Sequence, residues 1–205
     1  MSRMKTALFG GTFDPVHNGH IAVARSASEL IGANKLIFIP AKRSALKADS
    51  PFAPDADRLE MIRQAISGIA NFEVSDFELQ RPAPSFTIDT VRHFRKEFGS
   101  DTELYWLIGS DSVSELDRWH KIKELIDQCN IACMYRAGCE SPDFSVFADK
   151  LGNARVEKLQ SNIIKTPLVD ISSTQIRARL KKGLDVSDML NPRVAEYIKS
   201  KGLYR

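Results

Sequence analysis

Two histidines, His17 and His20, close the segment Gly10-Gly-Thr-Phe-Asp-Pro-Val-His-Asn-Gly-His20 and make up half of the chain's four histidines. Their spacing puts both imidazoles on one side of a first helical turn, where they can converge on one ligand. The adjacent glycines let the backbone approach a ligand closely or take a positive φ. A helix following them offers free N–H groups carrying about +0.5 charge. That is a junction suited to phosphate. It is neither a Walker loop nor a Gly-x-Gly-x-x-Gly dinucleotide turn. Plainer uses stand beside this one: His17 can cap a loop, and His20 can be an ordinary helix-start residue. Zinc is disfavoured, because no Cys or carboxylate at ligand spacing completes a site nearby.

A second cluster lies far along the chain, in Ile171-Ser-Ser-Thr-Gln-Ile-Arg177. Ser172, Ser173 or Thr174 can cap a helix that carries Arg177 in its first turn, so helix N–H groups and a guanidinium face one direction. Such a cluster serves either as a cap alone or as a second anion site. Asp111 follows an apolar run and Gly109, where a carboxylate at a strand's carboxyl end can accept ribose hydroxyls. Trp119 is a candidate ring platform or a core residue. Lys42, Arg43 and Lys47 form a basic stretch that would otherwise be a solvated loop.

The elements that must position these groups alternate. Met4 to Phe9 reads as a strand ending at the glycine pair, Ile21 to Ile31 as a helix stopped by Gly32, and Lys35 to Ile39 as a strand closed by Pro40, which is a βαβ unit. Asp57 to Ile66 and Thr87 to Phe98 read as helices, and Phe72 to Ser75 as a strand. Leu104 to Ile108 has the continuous apolar character of a central parallel strand. A helix over Ile122 to Cys129 and a strand over Ile131 to Tyr135 continue the period. Ala137 to Gly152 shows little periodicity and reads as a surface excursion with room for one short helix. Asn162 to Val169 is β-like, and Ser173 to Lys182 and Pro192 to Lys201 are helical. The fold class is α/β, a doubly wound parallel sheet with a small C-terminal helical portion.

The 205 residues suit one domain, since domains run to roughly 100–200 residues. A net charge of +3, from 29 basic and 26 acidic side chains, implies no polyanion-coating surface and makes nucleic acid an unfavoured partner. No apolar stretch approaches the about 18 residues that span a bilayer, and the apolar run after the basic start ends too early for a signal peptide. Three cysteines, Cys129, Cys133 and Cys139, form no disulfide framework. A cytoplasmic protein without membrane attachment is expected.

The Gly10 to His20 string resembles the signature of the HxGH nucleotidyltransferase superfamily, and its Asp-Pro-Val-His form is similar to that of bacterial nicotinate-nucleotide adenylyltransferases. The Ile-Ser-Ser-Thr-x-x-Arg cluster resembles the same superfamily's second motif. Ser85-Phe-Thr-Ile-Asp-Thr90, Leu107-Ile-Gly-Ser-Asp111, Trp119 and the ending Tyr197 to Tyr204 also resemble elements of these adenylyltransferases. The likeness spans the chain except Ala137 to Ala154. It departs at Ser44-Ala-Leu46-Lys47, where relatives carry His before the basic residue.

The resemblance implies a Rossmann-like nucleotidyltransferase domain over 1–205, with the C-terminal helical portion at about 171–205. The implied reaction joins ATP and nicotinate mononucleotide, with Mg²⁺ accompanying ATP and no metal held by the protein. It implies catalytic roles for His17, His20 and Arg177. ATP would be bound by these three with Gly10, Gly11, Thr12, Phe13, Gly109, Asp111, Ile171, Ser172, Ser173 and Thr174. The mononucleotide would meet Asp14, Lys47, Phe86, Thr87, Trp119 and Arg136. Other readings are a different adenylyl- or cytidylyltransferase of the superfamily, such as phosphopantetheine adenylyltransferase, and a catalytically silent nucleotide-binding module.

Overall fold

The computed structural model describes residues 3–43, 50–136 and 140–205, without the Arg136 side chain. Leu46, Lys47 and Cys139 lie outside the described residues. Six strands, β1 (Lys5–Gly11), β2 (Lys35–Pro40), β3 (Phe72–Val74), β4 (Glu103–Gly109), β5 (Asn130–Arg136) and β6 (Ile163–Thr166), form one parallel sheet in the order β3-β2-β1-β4-β5-β6. The chain leaves β1 toward β2 on one side and later returns to place β4 on the other. The β1/β4 boundary is therefore the switch point, outside whose carboxyl ends ligands bind in such sheets.

Alternation along the strands sorts the core into two layers. Ala7, Phe9, Leu36, Phe38 and Leu107 pack on one face beneath α1 (Asn18–Ile31), α2 (Asp55–Ile66), α7 (Ser173–Lys181) and α8 (Pro192–Lys201). Leu8, Ile37, Ile39, Trp106 and Ile108 pack on the other beneath α3 (Thr87–Phe98), α4 (Ile122–Gln128), α5 (Ala148–Leu151) and α6 (Asn153–Gln160). Both faces are covered, which is why the strands read as nearly unbroken apolar runs. Cys129 and Cys133 belong to the second layer, where burial pushes both thiols up to about 12 and leaves them inert.

Three segments depart from the sequence-based expectation. Helix α1 starts at Asn18 rather than Ile21, because His17 caps it, and histidine is not among the residues usually read as caps. Ser110–Arg118 forms a 3-10 helix where no element was expected. The stretch after Arg136 is more than a surface excursion: a 3-10 turn at Ser145–Phe147, α5 and α6 bury Phe144, Leu151, Val156 and Leu159. Gly152, at φ +84°, breaks the register between the two helices, so their apolar residues show no single period.

Candidate active site

The β1-to-α1 junction is built by mutual capping. The His20 backbone N–H donates to His17 Nδ1 at 3.3 Å, and the His17 backbone N–H donates to His20 Nδ1 at 3.2 Å. This is a capping box made of imidazoles, which satisfies helix-terminal donors at both positions. The two rings stack with centroids 3.7 Å apart. His20 also meets the edges of Phe9 and Phe13. With Nδ1 accepting, an imidazole in its neutral form carries its hydrogen on Nε2, a donor suited to phosphate oxygen. Burial lowers His17 from 6.5 to about 4, so it is neutral at physiological pH.

The glycines act through space rather than through unusual dihedrals. Gly10 and Gly11 are ordinary strand residues paired with Ile39 and Pro40, and neither has a positive φ. A Cβ on Gly10 would run into the Trp106 indole, and one on Gly11 would lie 2.8 Å from the Phe13 ring. The left-handed residue in this loop is Phe13, at φ +49°.

Helix α7 brings in the second cluster. Ser172 caps it by accepting from the Gln175 N–H at 3.2 Å, and the Ser173 hydroxyl donates to the Pro15 carbonyl at 2.9 Å. Arg177 Nη1 donates to the Asp14 carbonyl at 2.6 Å, and Nη2 donates to Thr174 Oγ1 at 3.3 Å. Residues 158 and 163 positions apart in sequence thus meet through hydrogen bonds.

Two adjoining cavities open at the switch point. The larger, about 1160 Å³, holds His17, His20, Asp111, Ser172 to Thr174 and Arg177. The smaller, about 440 Å³, holds Phe86, Thr87 and Trp119. Phe9, Gly10, Gly11, Thr12 and Gly109 line both. Ile171 and Phe13 also line the larger one. Asp14 sits in the larger cavity, whereas Phe86, Thr87 and Trp119 line the smaller one, and its carboxylate is engaged. Phe52 N–H donates to Oδ2 at 2.7 Å, while Ala53 N–H and the Tyr204 hydroxyl donate to Oδ1 at 3.1 and 2.6 Å. Arg136 ends β5 opposite Thr166 at the same carboxyl edge.

Sequence reasoning missed Glu78, Arg58 and Phe52. Glu78 is buried beside the smaller cavity and accepts from the Thr90 hydroxyl at 2.6 Å; burial raises its pKa. Fully buried Arg58 donates to the Thr12 carbonyl at 2.7 Å and pairs with Asp55 at 2.6 Å, holding the loop from behind. Nothing in a helical pattern marks a charged residue as buried. Glu78 had an indirect signal, since its partners Ser85 and Thr90 lie in a conspicuous motif.

A parallel sheet in this order, with a donor-lined cavity at its switch point, defines a nucleotide-binding α/β protein. Residues 8–179 match the Cytidylyltransferase-like family. A Dehalococcoides mccartyi protein named as a probable nicotinate-nucleotide adenylyltransferase is 40% identical, covering 100% of this chain and 98% of its own length. A Neisseria gonorrhoeae protein of the same name is 41% identical, covering 98% of each. The chain belongs to the nicotinate-nucleotide adenylyltransferase family of nucleotidyltransferases. Its fold is also similar to that of Plasmodium falciparum nicotinic acid mononucleotide adenylyltransferase solved in complex with NaAD, with a TM-score of 0.74 at 18% identity over 98% of this chain and 97% of that one.

Proposed function

We propose that this protein joins ATP and nicotinate mononucleotide, releasing deamido-NAD and pyrophosphate. The observation that carries the reading is the pair of cavities sharing the wall of Phe9 to Thr12 and Gly109, because a two-substrate transfer needs two ligands meeting at one point. ATP is assigned to the larger cavity, with the His17 and His20 Nε2–H groups on its phosphates. Arg177 and the α7 N-terminus take the departing pyrophosphate, and Asp111 takes the ribose. A mononucleotide phosphate oxygen forms a bond to the α-phosphorus as the bond to the bridging oxygen breaks, and pyrophosphate leaves with that electron pair. The nucleophile is already an anion, so no general base is required. Holding two nucleotides in line supplies up to about 7–11 kcal/mol, and each charged donor about 1.5–3 kcal/mol.

The nicotinate ring is assigned to the smaller cavity, against Trp119. Helix α3 begins there at Thr87 without a side-chain cap, so its positive N-terminal end supports recognition of a carboxylate over a carboxamide. Lys47 remains the proposed partner of the mononucleotide phosphate, and Arg136 a proposed mononucleotide contact. Asp14 is proposed to organise the loop while the mononucleotide passes beside it. Among the described residues no three His, Cys, Asp or Glu side chains converge as metal ligands. A magnesium ion accompanying ATP is assigned to the phosphates, where it would supply charge neutralisation. The hydrogen bonds from α7 and Tyr204 to the first loop support reading 1–205 as one functional unit. Among the described residues no helix is long and apolar enough to cross a membrane. The cytoplasm is proposed as the compartment on the cysteine usage, three thiols in no disulfide framework.

Pyrophosphate release with ATP and each of nicotinate mononucleotide, its nicotinamide form and phosphopantetheine tests the reading. Turnover is expected with the acid form and much less with the amide. Preference for phosphopantetheine would identify another transferase, and no release with any of the three would favour a binding module.

A further inference from the structure

We infer that Phe52 is a positioning residue for Arg177 and that Asp14 locks the two together; this rests on the assignment of Arg177 to the pyrophosphate. The Phe52 side chain is 72% exposed and belongs to neither core layer, so the fold gains little from it. What it touches is the guanidinium, whose central carbon lies over the ring at 4.4 Å, within the range of cation–π attraction. The ring's backbone is fixed separately, since the Phe52 N–H donates to buried Asp14 Oδ2 at 2.7 Å. The same aspartate accepts Arg177 Nη1 on its own carbonyl at 2.6 Å. One residue therefore holds both the plate and the group that rests on it.

The consequence is orientation. Arg177 has five N–H donors in one plane. The contacts to Asp14 and Thr174 hold two of its nitrogens, and the Phe52 ring lies against its central carbon. Turning the guanidinium away would disturb all three contacts at once, so its remaining donors stay with the cavity that Phe52 and Arg177 both line. A planar fork held this way meets phosphate oxygens without first being ordered, which lowers the cost of binding. An aromatic ring does this better than an aliphatic side chain, because attraction to its face is directional.

The test compares the wild type with Phe52→Leu and Phe52→Trp, titrating inorganic pyrophosphate calorimetrically and measuring turnover and Tm. Phe52→Leu should bind pyrophosphate about tenfold more weakly, with Tm moved by less than about 3 °C because the side chain is largely exposed. Phe52→Trp should regain the affinity, which a purely structural role would not predict. Equal affinity in wild type and Phe52→Leu, equal loss in both variants, or no pyrophosphate binding by the wild type would each overturn the inference. A rise in ATP KM with pyrophosphate affinity intact would overturn it too, by placing the ring on the base of ATP. A wild type that binds pyrophosphate but turns over no cosubstrate would remove the reaction, while a selective loss in Phe52→Leu would still uphold the positioning of Arg177.

Discussion

His17 and His20 each accept the other's backbone N–H, at 3.3 and 3.2 Å, so the same nitrogen atoms that start helix α1 fix the direction of both imidazoles. Capping and the proposed presentation of both rings to phosphate are one arrangement. Rotating either ring would cost the helix a cap as well as costing the cavity a donor.

Acid should expose the first half of this arrangement. Burial holds His17 at about 4 against 6.5 in the unfolded chain, so between those values the unfolded state binds a proton that the folded state refuses. The stability that follows is fully present above pH 6.5 and is lost as pH falls toward 4, by on the order of 3 kcal/mol. Melting curves across this range should steepen for the wild type and flatten for His17→Asn, which keeps a capping acceptor without titrating. Parallel curves would show that another group carries the dependence.

Replacing His20 by Ala should act mainly on turnover. It removes the Nε2–H proposed to meet developing phosphate charge, a type of donor whose loss costs about 10²–10³ in kcat. The ATP KM should change much less. Steady-state kinetics decide the matter, and an unchanged kcat would exclude His20 from transition-state stabilisation.

The sheet was legible in the sequence because both of its faces are covered, which leaves apolar runs such as Leu104 to Ile108 that end at glycine. Helix α3 matched from Thr87 to Phe98, since Gly99, at φ +76°, marks its end. The residues of the larger cavity were legible as strings, yet their partners were not. Ser173 reaching Pro15, and Arg177 reaching Asp14, join segments that only the fold brings together. Asp14 shows the same limit: its carboxylate stands in the first motif, yet the three protein donors it accepts come from Phe52, Ala53 and Tyr204, which no string in the sequence ties to it.

The two cavity-wall glycines should differ under the same substitution. Gly10→Ala drives a methyl into the indole of Trp106, a rigid and buried ring of the second core layer that must shift as a whole, so the soluble folded yield should fall sharply. Gly109→Ala instead meets the Asp111 carboxylate, on an exposed side chain that can rotate away. That variant should fold with Tm close to the wild type and a raised ATP KM, as Asp111 leaves the position proposed for ribose. Circular dichroism and kinetics separate the cases; a folded Gly10→Ala, or an unaltered KM in Gly109→Ala, would contradict the steric account.

Glu78 should connect stability to the second substrate. Its carboxylate accepts from the fully buried Thr90 hydroxyl at 2.6 Å, so Glu78→Ala strands a buried donor and should cost about 1–3 kcal/mol. Glu78→Gln keeps an acceptor and should cost less. Burial raises the carboxyl pKa above 4.5, so the folded state holds a proton that the unfolded state has released. The wild type therefore loses stability as pH rises from 4.5 through that raised value, and the stability of Glu78→Gln relative to it should improve over the same interval. Because the Ser85 to Thr90 segment carries Phe86 and Thr87 into the smaller cavity, Glu78→Ala should also raise the mononucleotide KM while leaving that for ATP near the wild-type value. Denaturant titrations at several pH values, paired with kinetics in each substrate, test both halves; an effect on ATP alone would detach Glu78 from the smaller cavity.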